Sequence, residues 1–420
     1  MKRLFYGWKI VGAASGLQFL QAGLMMQSFG AYVAVLADER GWSKTALSGA
    51  AALHQMETAL LGPVLGWLLD RFGPRVFIRI GVLVFGLDLI ALSQIDTLPA
   101  FYAAFVVIAL GAGLCGFFPL NVAIIHWFER WRSRAISTLS IGLAFGSIIT
   151  PLVAWSLQTW GWRTTALASG LIAICIGFPL ATLIYNRPSD KGETVDGLRV
   201  DSPSQIVLGE KQKLDDTRDF TAREALRTRA FWFISFGHAF ALFIVQAVIV
   251  HAIAHLKESM GYTVPQAALV FTLVTVMQIG GVAIGWMIGD RWDKRFICAV
   301  CMLMHASGLL LLTYAAYSPW PAATVAAFAV LHGIAWGLRG PFMQAIRADY
   351  FGRSAIGMIL GLSFLVLMIG QIGGPMIAGL AADLTGDYRA GFTALALLAG
   401  LGSIFFLAAK KPPRPLKEAT

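Results

Sequence analysis

An arginine with histidine and tryptophan neighbours lies inside one long apolar segment of the chain. His332, Trp336 and Arg339 occupy positions i, i+4 and i+7, so they share one face of a helix. A guanidinium group holds a small carboxylate with two parallel hydrogen bonds. The spacing therefore predicts an anion-binding site around Arg339. An arginine that extends to the end of its helix, or that pairs with an acid or a carbonyl, is an equal alternative.

Two carboxylates lie deep within other apolar segments. Glu57 stands 13 residues from Asp70, and Asp88 stands 13 residues from Arg75, the nearest charges at the ends of their segments. Both therefore lie ~20 Å along a helix, where they could contact each other or His54. We expect Glu57 or Asp88 to take up and release a proton during function. The alternative is a neutral or paired group that holds helices together.

Uncharged polar side chains lie in four further apolar segments. Such groups could line a binding cavity, and they equally could bond across helices for packing alone. The candidates for substrate contact are Gln18, Gln21, Asn121, His238 and Gln278.

Two similar loops join an aspartate to several arginines at the end of an apolar segment. One runs from Gly66 to Arg75 and the other from Gly285 to Arg295. Carboxylate–guanidinium hydrogen bonds there would hold one side of a membrane protein closed in one state and break in the other. The recurrence favours this gating role over ordinary surface charges. The gating candidates are Asp70, Arg71, Arg75, Asp290, Arg291 and Arg295.

Apolar segments of helical length account for nearly the whole chain. Of its 420 residues, 57% are hydrophobic and only 13% are charged, about half the charged share of a soluble domain. A membrane-spanning helix needs ~20 mostly apolar residues. The sequence therefore predicts an all-α membrane protein with twelve transmembrane helices. The predicted spans are 8–36, 44–69, 76–94, 99–126, 134–157, 163–185, 229–255, 264–289, 296–316, 320–346, 354–382 and 389–409.

The chain repeats itself on either side of a polar middle stretch. Gly111 with Pro119 matches Gly333 with Pro341 at an offset of 222 residues, and the two Asp–Arg loops are offset by 219. Parallel six-helix repeats are typical of transporters that bind substrate between two pseudo-symmetric halves. The predicted domains are an N-terminal six-helix bundle at 1–185, a cytoplasmic linker at 186–228 with a short surface helix near 221–228, a C-terminal six-helix bundle at 229–409 and a cytoplasmic tail at 410–420.

The net charge of +10 reflects an uneven distribution along the chain. With the N-terminus inside, most of the 33 Lys and Arg residues fall on the cytoplasmic side, as the positive-inside rule describes. The charge therefore reports topology, and no nucleic-acid partner is expected. We predict a multi-pass protein of the bacterial inner (plasma) membrane with cytoplasmic N- and C-termini.

The two Asp–Arg loops carry a family resemblance. Gly66 to Arg75 resembles the signature loop between helices two and three of the major facilitator superfamily, and Gly285 to Arg295 resembles its weaker copy. The resemblance covers essentially the whole chain. It implies two six-helix bundles that rock about a central site, with helices one, four, seven and ten lining the cavity.

Three shorter motifs are similar to the monocarboxylate transporter and oxalate/formate antiporter branch of that superfamily. They are Phe5 to Trp8, Glu39 to Ser43 and Arg187 to Gly192. Those relatives carry an arginine in helix eight, whereas the middle of span eight here offers Thr272, Thr275 and Gln278. Their substrate and coupling therefore do not carry over directly.

The sequence predicts a secondary active transporter and not an enzyme. Nothing in it resembles an ATP-binding loop or a catalytic triad, so no cofactor and no metal are expected. The predicted substrate is a small organic anion, a monocarboxylate or similar carboxylate, moved by a monomer with a proton or in exchange. The alternative is proton-driven efflux of a hydrophobic or cationic compound, for which Glu57 and Asp88 would supply the negative charge.

Overall fold

The structure is a computed structural model that describes residues 5–42, 57, 60–197 and 217–417. Within this part of the chain every regular element is a helix. Contacts divide the chain into two compact units, described in turn below.

The first unit comprises residues 1–206 together with 356–361. A π-helical turn at Ala22–Met26 follows its first helix, and another at Ala173–Gly177 precedes its last. The helices are α1 (Tyr6–Gln21), α2 (Phe29–Arg40), α3 (helical residues 60–72), α4 (Pro74–Leu92), α5 (Leu98–Cys115), α6 (Phe117–Trp127), α7 (Arg132–Gly146), α8 (Thr150–Ile172) and α9 (Phe178–Thr182).

Glycines with positive φ turn the chain between helices of the first unit. Gly73 has a φ of 79° and precedes Pro74, the first residue of α4. Gly161 also has a φ of 79° and interrupts the helical geometry of α8. Because glycine adopts positive φ without a steric penalty, these two positions separate predicted span two from three and predicted span five from six.

Small residues let the helices of the first unit approach closely. A Cβ atom on Gly142 of α7 would overlap the carbonyl oxygen of Ser15 in α1. One on Gly146 would meet Ala22, directly after α1. Backbones that approach this closely gain packing along their whole contact. Gly142 and Gly146 therefore serve the close packing of α7 against α1 and the turn that follows it.

The second unit comprises residues 207–355 together with 362–420. A short helix begins at Thr221, whose hydroxyl caps it while Glu224 returns a bond to the Thr221 N–H; it lies within the stretch 221–228 where the sequence favoured one. The helices are α10 (Ala222–Leu226), α11 (Arg229–Met260), α12 (Val264–Ile288), α13 (Lys294–Thr313), α14 (Pro321–Phe351), α15 (Ile356–Thr385), whose first six residues group with the first unit, and α16 (Arg389–Ala408).

Helix α14 packs against both α12 and α13. Gly333 and Gly337 face α12, and a Cβ on Gly337 would overlap the carbonyl oxygen of Gln278. The two helices therefore approach closely over about one turn. This contact fixes the rotation of α14 and so determines which side chains face α13.

The outer surfaces of the helices are apolar. Leu397, Leu401 and Ile404 form an exposed stripe on α16, a pattern that water-soluble proteins avoid and lipid accommodates. Among the described residues, eight helices are long and apolar enough to cross a membrane. One of these runs from 132 to 182 and covers two of the predicted spans.

Candidate functional site

Arg339 lies in the middle of α14 and is 2% exposed. Its Nε and Nη1 atoms are buried and form no hydrogen bond within the described structure. The thiols of Cys298 and Cys301 on α13 lie in its electrostatic surroundings. A buried guanidinium without an anion is costly, so Arg339 has unused capacity to bind one.

His332 lies two turns before Arg339 on the same helix face and is fully buried. Its Nδ1 atom lies 3.1 Å from Nδ1 of His305 on α13. The ring of half-buried Trp336 lies 6.0 Å from the His332 ring. The three residues grouped by spacing are therefore neighbours on α14, and the structure adds His305, which the sequence analysis did not single out.

A second buried arginine lies further along α14. Arg347 is 2% exposed. Its Nη2 atom donates to Ser363 Oγ at 2.7 Å and lies 3.4 Å from His238 Nδ1. Ser235 and Ser363 share a further bond. His238 therefore contacts an arginine, as part of a network that fixes Arg347.

The polar residues of the first unit differ in how their side chains are hydrogen-bonded. Gln21 Nε2 donates to the carbonyl of Ala112 in α5 at 2.7 Å, which ties it to that helix. Gln18 and Asn121 are buried, and each has a side-chain oxygen without a partner in the described structure. Gln18 and Asn121 thus keep an unused acceptor, whereas Gln21 uses its amide donor to join helices. Gln278, in the second unit, is half-buried where α12 meets α14.

The two deep carboxylates are both half-buried. Glu57 Oε2 and Asp88 Oδ2 are buried without a hydrogen-bond partner among the described residues. The backbone of Ile108 in α5 lies close to Asp88. His54, the shared partner considered for them, falls outside the described residues.

Asp70 follows the second predicted span and caps the first turn of α15. Its Oδ1 and Oδ2 accept hydrogen bonds from the backbone N–H groups of Gly357 and Met358, each at 2.7 Å. The N-terminus of a helix attracts negative charge through its free N–H groups and its dipole. Burial nevertheless raises the pKa of Asp70 to about 6, although the two N–H bonds lower it.

The arginines of this loop bind other groups than Asp70. Arg71 lies over the rings of Trp67 and Phe72. Arg75 lies over the ring of Tyr185, 4.2 Å from its centroid. The expected carboxylate–guanidinium contact at Asp70 is thus replaced by a carboxylate–helix contact, because α15 offers two N–H donors at hydrogen-bonding distance.

The second Asp–Arg loop follows α12. Asp290 and Arg291 lie in the turn at 289–291. Arg295 pairs with Asp293 at 2.7 Å, and Lys294 pairs with Asp349 near the end of α14 at 2.8 Å. The Lys294–Asp349 pair joins the start of α13 to the end of α14, and the Arg295–Asp293 pair is local to the start of α13.

The sequence matches the family model of the Major Facilitator Superfamily over residues 15–322 and 231–420. It is 24% identical over 355 residues to a glycerol-3-phosphate transporter of Bacillus subtilis, covering 81% of this chain and 78% of the relative. It is 24% identical over 410 residues to monocarboxylate transporter 13 of Bos taurus, and the match covers 96% of this chain and 89% of the relative. It is 27% identical over 206 residues to an oxalate:formate antiporter of Oxalobacter formigenes, and the match covers 48% of this chain and 44% of the relative.

Among solved structures, the fold resembles that of a proton:xylose symporter, XylE. The TM-score is 0.71 at 16% identity, covering 96% of this chain and 95% of the symporter. The predicted all-α fold of the twelve-helix type is thereby confirmed.

Proposed function

This chain belongs to the Major Facilitator Superfamily, and on that premise we propose that it is a secondary active transporter of a small organic anion. The anion, a monocarboxylate or a similar carboxylate, crosses the bacterial inner (plasma) membrane by alternating access. A proton or a second anion drives the movement. Two pseudo-symmetric six-helix bundles, at 1–185 and 229–409, perform it within a monomer whose termini are cytoplasmic.

The observation that carries the proposal is the unpaired guanidinium of Arg339. Within helices α11 to α16 the only acidic residues are Glu258, Asp349 and Asp383, each two residues from the end of its helix. None of them occurs near the middle of a helix, where Arg339 lies. The second unit therefore holds a buried positive charge without a carboxylate of its own. An anionic substrate supplies the missing negative charge, and the planar guanidinium suits a carboxylate.

The named relatives support the charge of the substrate. The similar proteins are called transporters of glycerol-3-phosphate, of monocarboxylates, and of oxalate and formate. All of these substrates are anions. A carboxylate fits Arg339 best among them because a single guanidinium matches one carboxylate group with two hydrogen bonds.

Asp70 supports a gating role in this cycle. Its two bonds to the first turn of α15 are the kind of contact that a moving helix would break and remake. Arg71 and Arg75 would then position the loop through Trp67 and Tyr185. Asp290, Arg291 and Arg295 are proposed to act at the corresponding loop after α12.

One observation favours a second function. Glu57 and Asp88 of the first unit each keep a buried carboxylate oxygen without a partner in the described structure. Efflux of a hydrophobic or cationic compound, driven by protons, would use these groups. In the anion transporter they are instead the first-unit candidates for proton coupling.

A thermal-shift screen of the detergent-purified protein separates the two functions. The probes are lactate, formate, oxalate, glycerol-3-phosphate and a set of cationic drugs. A ligand that binds the folded state raises the unfolding temperature. Stabilisation by a carboxylate that disappears in Arg339→Ala, but persists in Arg389→Gln, supports the anion transporter. Arg389 is the matched control, since it is half-exposed and paired with Asp387.

Stabilisation by cationic drugs alone would favour efflux of a cationic compound over anion transport. This stabilisation should then disappear in Glu57→Gln and persist in Arg339→Ala.

A further inference from the structure

The imidazoles of His305 and His332 form an isolated pair inside the second unit. Both residues are 0% exposed, and their Nδ1 atoms lie 3.1 Å apart. Neither Nε2 atom has a hydrogen-bond partner within the described structure. Buried polar atoms are nearly always paired, so an unpaired Nε2 atom on each of two hydrogen-bonded rings is unusual.

The shared bond fixes where a proton can be added. In a neutral pair one ring donates through Nδ1–H and the other accepts at Nδ1. The donating ring then has a free lone pair on Nε2. A proton that binds there makes the donor an imidazolium, and the bond between the rings becomes charge-assisted, which strengthens it. The pair can therefore bind one additional proton while the hydrogen bond between its two Nδ1 atoms stays in place.

The charged surroundings of the pair are cationic. Arg339 interacts electrostatically with both histidines, and it lies seven residues after His332, ~10 Å along α14. The other ionisable groups inside the neighbouring helices are His238, His251 and His255 on α11, Cys298 and Cys301 on α13, and Arg347 on α14. Those near helix ends are Arg229, Lys257, Glu258, Lys294, Arg295, Asp349 and Tyr350. Helix α12 has no ionisable residue, and those of α15 and α16, Asp383 and Arg389, lie at helix ends.

We infer that the His305–His332 pair is the proton-binding site that couples transport to the proton gradient, an inference that rests on the proposed anion transport. An anion at Arg339 offsets the guanidinium charge, which allows a second positive charge two turns away. Anion and proton are thus loaded together on α14 and α13. Release of the anion restores the repulsion between Arg339 and the imidazolium, so the proton leaves with it. Glu57 and Asp88 are not required for this step.

The test uses the full-length protein in liposomes that contain a pH-sensitive dye. Lactate, oxalate and glycerol-3-phosphate are the probes. One readout is exchange of labelled probe for unlabelled probe, which needs no net proton movement. The other readout is proton entry when probe is added outside.

The variants are His305→Asn and His332→Asn, because an asparagine amide reaches the position of Nδ1 and keeps a hydrogen bond but cannot take up the proton. His251→Gln is the control, since His251 bonds the Pro375 carbonyl through Nε2. We expect both asparagine variants to lose proton entry at least tenfold, and we expect His305→Asn, which lies outside the anion-binding group on α14, to keep exchange within about twofold. The control variant should keep both.

Three results would overturn the inference. They are wild-type exchange without proton entry, undiminished proton entry in both asparagine variants, and equal loss of exchange and proton entry in both. In all three the wild type still moves the anion, so the proposed function stands. A wild-type protein that neither exchanges nor admits any probe would overturn the proposed function and the inference together.

Discussion

The carboxylate of Asp70 accepts a hydrogen bond of 2.7 Å from the backbone N–H of Met358. A residue at the end of α3 thereby caps a helix that begins 286 positions later in the chain. Close backbone contact accompanies the bond, since a Cβ on Gly66 would overlap the carbonyl oxygen of Gly357. The signature loop and the first turn of α15 therefore form one structural feature.

The first prediction concerns the pH dependence of this contact. Burial raises the pKa of Asp70 to about 6 in the folded protein, whereas an unfolded chain has a value of ~3.9. The folded state therefore binds the proton more tightly. The stabilisation is fully present below the unfolded value and is lost as pH rises through about 6.

The measurement is the unfolding temperature of purified protein between pH 5 and 7.5. Relative to Asp70→Asn, the wild type should become more stable as the pH falls across this range, by at most ~1.4 kcal/mol per pH unit. A constant difference between the two proteins would contradict the prediction. Asp293→Asn serves as the control, because the neighbouring Arg295 holds the pKa of Asp293 below its ordinary value.

The second prediction concerns the contact between α12 and α14. Gly337→Ala places a methyl group on the carbonyl oxygen of Gln278, and such overpacking costs about 1–3 kcal/mol. Gly340→Ala, on the same helix, meets open space and should be neutral or slightly stabilising, since alanine favours helix more than glycine does. The measurement is the unfolding temperature of each variant compared with that of the wild type. Equal behaviour of the two would show that the close approach is not needed.

The third prediction concerns the fixation of Arg347. Ser363→Ala removes an acceptor at 2.7 Å from a buried guanidinium, and bonds to charged groups contribute about 1.5–3 kcal/mol. Ser235→Ala removes only the bond between two hydroxyls, with a net value of about 0.5–1.5 kcal/mol. The unfolding temperature should therefore fall further in Ser363→Ala. A larger loss in Ser235→Ala would assign the stabilisation to the serine pair.

Hydropathy was sufficient to predict helical segments among the described residues, because a membrane span needs a long apolar run; residues 44–56 of the second predicted span lie outside the described part of the chain. The predicted span 296–316, for example, corresponds to α13 at Lys294–Thr313. The capping of α15 by Asp70 could not be predicted, since no local pattern specifies a backbone donor 287 positions away.

Only part of the candidate site could be predicted from the sequence. His332, Trp336 and Arg339 lie on one helix, so their spacing alone grouped them. His305 lies on the neighbouring helix, and the sequence signal was present, as it is the only histidine in span nine. Arg347 lies four residues before the end of α14 and is held inside by its bonds to Met343 and Ser363. The bond to Ser363 on another helix has no local sequence signal.

The final prediction concerns Arg339, whose unpaired guanidinium carries the proposed function. The measurement is exchange of a labelled carboxylate in liposomes containing the wild type, Arg339→Lys, Arg339→Ala or Arg389→Gln. We expect Arg339→Ala to lose exchange on the order of a hundredfold or more, roughly what loss of a charge-assisted contact of ~3 kcal/mol implies. Arg339→Lys should retain a fraction, because an ammonium keeps the charge without the bidentate geometry, and Arg389→Gln should match the wild type. Carboxylate exchange at the wild-type rate in correctly folded Arg339→Ala would contradict the account.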